Sequence, residues 1–208
     1  MDLATLITAF TTLFVIIDPP GLVPLFIALT QGMSGAERRA IAMRAIAVSA
    51  ALMLVFLLLG EAVLGFVGIS MPAFRIAGGV LLFLTALEML FQKRQARRAG
   101  NAEDGAADPD HDPSVFPLAL PLIVGPGAIT TLILLTDQAG TPAGMAAIYG
   151  VVLAILAIVL VSFLAAHRIE RALGRVGINV VTRVLGMLLA ALAVQFILDG
   201  LVSFGFGG

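Results

Sequence analysis

Six stretches of roughly 20 mostly apolar residues, the length that crosses a bilayer as an α-helix, take up most of this 208-residue chain. They lie at about 3–30, 40–60, 72–91, 115–136, 143–166 and 180–203. Hydrophobic residues make up 60% of the chain and charged residues 12%, against roughly 45–50% and 25% in a soluble domain. A fold this small exposes too much of its surface to hide that much apolar area from water. An ordinary cytosolic enzyme is therefore excluded, and so is a disordered chain, which would be polar and charged. The absence of cysteine excludes a disulfide scaffold. Twelve basic residues against 13 acidic ones leave no basic surplus for nucleic acid. Strand-like alternation is also absent, so the expectation is an all-α integral membrane protein with six transmembrane helices, its main partner the lipid bilayer. The first stretch has no basic flank and no small-residue cleavage site, and reads as a retained helix rather than a signal peptide.

The charges cluster. Nine fall between residues 92 and 114, including Lys93, Arg94, Arg97 and Arg98, among glycines and prolines. This segment reads as an aqueous connector between two three-helix halves, 1–91 and 115–208. The loops after odd-numbered spans hold eleven Lys and Arg residues, and the opposite side holds only Arg75. That bias places the connector in the cytoplasm and both termini outside, which in a bacterium means the inner membrane.

The halves repeat each other. Residues 64–70 (LGFVGIS) align with 173–179 (LGRVGIN), and Glu61 with Glu170; Arg75-x-x-Gly78 aligns with Arg183-x-x-Gly186, and Pro20-Gly21 with Pro126-Gly127. Three spans is an odd number, so the second half must cross the membrane in the opposite sense. The expected architecture is a 3+3 inverted-topology repeat, as in many secondary transporters.

Helices 1 and 4 carry matching interruptions. The first reads Asp18-Pro19-Pro20-Gly21-Leu22-Val23-Pro24; the fourth reads Pro117-x-x-x-Pro121, then Gly125-Pro126-Gly127. An interior proline costs a helix about 3 kcal/mol, so both spans are expected to break near the midplane. Irregular backbone is tolerated there only where protein or a wet cavity surrounds it. A half-helix that starts at a break presents unpaired N–H groups and a positive dipole end, which favour a carboxylate. Carbonyls freed before the break can hold a cation or an ammonium group. A small zwitterion fits both. The candidate binding residues are Pro20, Gly21, Pro24, Gly125, Pro126, Gly127, Thr130 and Thr131, with Gln195 as a polar group inside the last span.

Asp18 is the one carboxylate expected deep in the membrane, where an ionised group is a functional hypothesis by default. It can cap the half-helix that follows, or couple transport by carrying a proton or ligating Na⁺; the two roles can coexist. Its repeat counterpart is Val124. Arg75 and Arg183 either snorkel to the interface or act as gates, pairing with Glu61 and Glu170 or binding carbonyls. Glu88 reads as interfacial, Asp137 and Asp199 as solvated, and His111 and His167 as loop residues. No metal-site spacing, nucleophile elbow or phosphate loop is present, so neither a metal, an organic cofactor nor an enzymatic activity is expected.

The motifs at 18–26, 68–70, 75–79, 117–121, 125–129 and 183–186, with 193–197 after them, resemble those of the MarC family across nearly the whole chain outside the connector. Some members of that family, called SnatA, are described as transporters of glycine and alanine, and the family is grouped with LysE-type carriers. The resemblance implies a small-neutral-amino-acid carrier whose site lies at 18–24 and 125–131. This chain departs from many members at Leu22, where they carry a polar residue, often Asn. The expectation is alternating access coupled to H⁺ or Na⁺. A channel or exporter for another small solute is the alternative, a membrane enzyme or regulatory subunit is less favoured, and a homo-oligomer is compatible with either.

Overall fold

The computed structural model describes residues 3–93, Arg98 and 112–206. Residues 1–2, 94–97, 99–111 and 207–208 lie outside the described residues, and with them most of the connector and His111. Among the described residues every regular element is helical: α1 (Leu3–Ile17), α2 (Pro19–Leu29), α3 (Gly35–Val67), α4 (Met71–Leu90), a π-type segment Ser114–Ile123, α5 (Pro126–Ala139), α6 (Pro142–Leu164) and α7 (Ala166–Ser203). Five stretches are long and apolar enough to cross a membrane: Leu3–Leu29, Gly35–Val67, Met71–Leu90, Pro142–Leu164 and Val176–Ser203. A sixth is added if Ser114–Ile123 and α5, which meet at a bend of 59°, count as one span.

α3 overruns the expected 40–60 stretch at both ends. Its start carries a capping box, in which the Ser34 side chain accepts from the Glu37 N–H and Glu37 accepts from the Ser34 N–H. The Ala- and Arg-rich turn that follows has high helix propensity. Gly68 ends the helix at φ 80°, with the Ile69 N–H returning to the Leu64 carbonyl at 2.9 Å. At 1.5 Å per residue α3 is ~50 Å long, so its ends lie beyond a hydrocarbon core of about 30 Å. In α7, Gly174 (φ 62°, ψ 176°) separates a short first part from the membrane span.

The Leu3–Leu29 span forms the centre of the molecule. Over its most apolar 18 residues it is 72% buried, against 22–33% over the same length in the other four spans. The outer helices turn Leu58, Val63, Phe66, Leu84, Val161, Met187 and Val202 outward, a surface that lipid covers. Inside, the Phe26 and Phe163 rings stack at 4.3 Å and join α2 to α6. The Tyr149 hydroxyl donates to the Ala50 carbonyl at 3.1 Å and joins α6 to α3. α4 and α7 pack antiparallel and close. A Cβ on Gly79 would stand 2.8 Å from the Ala193 carbonyl oxygen, and one on Gly186 2.9 Å from the Met89 Cβ. Glycine at such contacts lets two backbones approach, the usual basis of helix association in lipid.

Candidate functional site

The site begins with local chemistry at Asp18. Pro19 and Pro20 have no N–H, so the first amide available at the start of α2 is that of Gly21, and it donates to Asp18 Oδ1 at 3.2 Å. To make this cap, Asp18 adopts the left-handed conformation (φ 57°, ψ 64°), which Asp and Asn enter more readily than other side-chain-bearing residues. Gly21 is packed so tightly against the cap that a Cβ there would collide with the Asp18 carboxylate. Asp18 is 0% exposed. The Thr182 hydroxyl of α7 stands 3.4 Å from both of its carboxylate oxygens, as a donor.

A buried carboxylate needs a counter-charge, and here it comes from a residue the sequence assigned to water. Arg98, 4% exposed, sets Nη1 at 3.5 Å from Asp18 Oδ2. Its Nη2 donates to the Ile17 carbonyl at 3.1 Å and to the Leu122 carbonyl at 3.5 Å. Ile17 ends α1, and Leu122 precedes the 59° bend. One guanidinium therefore joins the end of α1 to the backbone just before the 59° bend. A connector arginine at that depth is a correction to the aqueous reading of 92–114, and its cause is the unmet charge and carbonyls at 17, 18 and 122. Composition could not reveal it, because Arg98 sits among other charges and its partners lie far away in sequence.

The second interruption is built differently. Ser114–Ile123 holds cis peptide bonds before Pro117 and Pro121, with extended backbone at Phe116 and Leu120, the region favoured by residues that precede proline. Its amides reach back five residues, from Leu118 to the Pro113 carbonyl and from Val124 to the Ala119 carbonyl. α5 then starts with Gly125 at the N-cap position and no side-chain cap. Val124, which the sequence alignment of the two halves sets opposite Asp18, has no side-chain oxygen to offer. Beside this bare N-terminus lies a cavity of about 340 Å³, lined by residues 125–128, Ile16, Thr85, Glu88 and Arg98 among others. Gly125 has to be glycine, because a Cβ there would stand 2.8 Å from the Pro121 carbonyl oxygen.

Of the candidate residues, Gly125, Pro126 and Gly127 line the cavity; Pro20, Gly21, Pro24, Thr130, Thr131 and Gln195 do not. Gly21 belongs to the adjoining Asp18 cluster. Thr130 packs its methyl against Gly78, and the buried Thr131 hydroxyl has no hydrogen-bond partner among the described residues. Gln195 is exposed and donates to Asp199 one turn on, within its own helix. Glu88, read as interfacial, is half-buried in the cavity wall.

Arg75 pairs with Asp137 at 2.8 Å, with side chains 15% and 28% exposed. This corrects both the solvated reading of Asp137 and the pairing of Arg75 with Glu61, which is exposed. The last turn of α5 reaches the level where α4 begins and supplies the nearer carboxylate. Arg183 is exposed and makes no ion pair with a described residue. On another face Arg38 meets the His167 ring at 3.0 Å, and Arg44 meets Asp112 at 3.0 Å.

Long apolar helices with lipid-facing flanks, packed around a buried ion pair and irregular backbone, define a multi-pass integral membrane protein. Residues 3–204 match the family described as MarC family integral membrane protein, and the chain belongs to that family. It is 38% identical to a UPF0056 membrane protein of Archaeoglobus fulgidus, covering 94% of this chain and 91% of that protein. It is 35% identical to the UPF0056 membrane protein YvbG of Bacillus subtilis, over 97% and 96% of the two chains. To the UPF0056 inner membrane protein YhgN of Escherichia coli it is 33% identical, over 94% and 95%. No solved structure matches.

Proposed function

We propose that this protein is a secondary transporter of small neutral amino acids of the glycine and alanine type, working by alternating access, with H⁺ or Na⁺ coupled through Asp18. It is a carrier, with no reaction chemistry assigned to it. The observation that carries this reading is the uncapped N-terminus of α5 facing a small cavity beside the buried Asp18 cluster. The half-helix N–H groups suit a carboxylate, and the oxygen-rich cluster suits an ammonium group or a metal cation. A cavity of about 340 Å³ is near the lower end of ligand pockets, roughly 300–1,000 Å³, and its Gly and Ala surfaces leave room for a small side chain.

The same reading treats residues 1–91 and 115–208 as inverted repeats, with spans 1 and 4 broken at 18 and 124–125. It is supported by the antiparallel packing of α4 on α7, the last helix of each half, with Gly79 and Gly186 at their close contacts. With the termini outside and the connector cytoplasmic, the cavity runs from α5 along α4 to Glu88, toward the cytoplasm. The Arg75–Asp137 pair then closes the outer side.

The test is flux of labelled glycine and alanine in proteoliposomes under imposed H⁺ and Na⁺ gradients. Saturable flux with counterflow is expected, and a flux that does not saturate would favour the channel alternative. No flux under either gradient sinks the amino-acid reading. Asp18→Asn keeps a capping oxygen while removing the charge, and is expected to abolish dependence on the driving ion; unchanged ion dependence removes Asp18 from coupling.

A further inference from the structure

Arg98 is a buried cation in a place where four oxygen-bearing groups converge. The Asp18 carboxylate, the Ile17 carbonyl and the Leu122 carbonyl all face its guanidinium, and the Thr182 hydroxyl closes on the carboxylate from α7. These groups come from both halves of the chain. Hard oxygen donors of this kind are what Na⁺ or an ammonium group requires. The guanidinium distances are 3.1–3.5 Å, longer than the roughly 2.7–2.9 Å of a tight charge-assisted bond. The arginine neutralises the site through oxygens that another cation could equally use.

We propose that these oxygens form a monovalent-cation site, and that Arg98 is its tethered occupant in the ligand-free protein. Displacement of the guanidinium by a free cation, either Na⁺ or the ammonium group of the substrate, loads the site. The inference rests on the carrier reading and specifies how the same site is regulated. Its physical basis is charge balance. An uncompensated carboxylate at the centre of the bundle is costly, so Arg98 leaves as another cation arrives, and the carrier never holds a bare Asp18 anion. Because Ile17 and Leu122 flank different interruptions, the guanidinium also links the two halves while it is bound. Ligand entry and release of that link then become one event.

The experiment compares purified wild type with Arg98→Ala, reading thermal stability against Na⁺, glycine and methylguanidinium, each balanced with choline chloride. If the guanidinium fills the site about nine-tenths of the time, removing it lowers the half-stabilising concentration of the true ligand about tenfold. A response to Na⁺ identifies the coupling ion as the displacing cation. A response to glycine but not to N-acetylglycine identifies the substrate ammonium. Methylguanidinium is expected to stabilise R98A and not wild type, and the double variant D18N/R98A to lose all these responses. Where R98A does not fold, Arg98→Gln carries the same test, since its amide still serves the two carbonyls. Responses equal to wild type for all three probes overturn the proposal, as does stability that follows only pH or binding that is lost with the arginine. Failure of glycine flux with a Na⁺ response intact overturns the amino-acid reading and leaves the cation site standing. Glycine flux with unchanged cation responses does the reverse.

Discussion

Between Ile17 and Pro19 the chain meets two demands with one side chain. The start of α2 needs an acceptor for its first available amide, and the cation at the centre needs a negative partner. Asp18 serves both through its two carboxylate oxygens, Oδ1 toward Gly21 and Oδ2 toward Arg98. This double use explains why Gly21 has no side chain, since the carboxylate occupies the space a Cβ would take. Gly21→Ala is therefore expected to lower stability by about 1–3 kcal/mol, the usual cost of overfilling a packed site, read from the midpoint of unfolding in detergent. In an Asp18→Ala background the same change should cost much less, because neighbours in contact are not additive. Equal costs in both backgrounds would rule out the collision as the cause.

At the scale of elements, the positions of the spans were legible in the sequence and their partnerships were not. Apolar runs of the right length stand out because lipid imposes no alternation on a helix, and α1 through α7 follow those runs, with α3 lengthened by a capping box and good helix formers. The proline–glycine motif at 125–127 was legible for a similar reason, since these residue types have few backbone options, and the chain bends there by 59°, whereas Leu3–Leu29 runs through the motif at 18–21 as one span. Arg98 reaching Asp18 and Arg75 choosing Asp137 over Glu61 were not legible. Both depend on which helix ends come level in space, and no local pattern encodes that. The contrast between α2 and α5 could be read in part, as Asp18 against Val124. Its consequence is that one half-helix carries its own carboxylate and the other lacks one. Val124→Asn places a neutral side-chain oxygen one residue before the Gly125 N-cap, where it competes for the free amides at the start of α5. If the substrate carboxylate uses that N-terminus, the half-saturating glycine concentration should rise about fivefold with the maximal flux retained. An unchanged value would move the carboxylate elsewhere.

For the molecule as a whole, two ion pairs stand at different levels of the bundle and tie different parts together. Arg98–Asp18 ties the start of α2 to the backbone before the 59° bend at the centre. Arg75–Asp137 joins the start of α4 to the end of α5, on the side away from the connector. The cavity occupies the other direction, reaching Glu88 two residues before α4 ends. Under the proposed alternating-access cycle this arrangement would be the state closed on the termini side, with the Arg75–Asp137 pair part of that closure. Its side chains are 15% and 28% exposed, so water screens it partly and a contribution of about 1 kcal/mol is reasonable. Asp137→Asn should then shift the balance between the two states about fivefold toward opening on the termini side. The chain has no cysteine, so Ala128→Cys places a single thiol beside Gly127 in the cavity wall. A membrane-impermeant thiol reagent added from the termini side should label A128C/D137N about five times faster than A128C alone, and label it more slowly from the connector side. The opposing changes matter because simple loosening of the bundle would raise both rates. If both rise together, or neither moves, the pair is a structural tie with no part in gating.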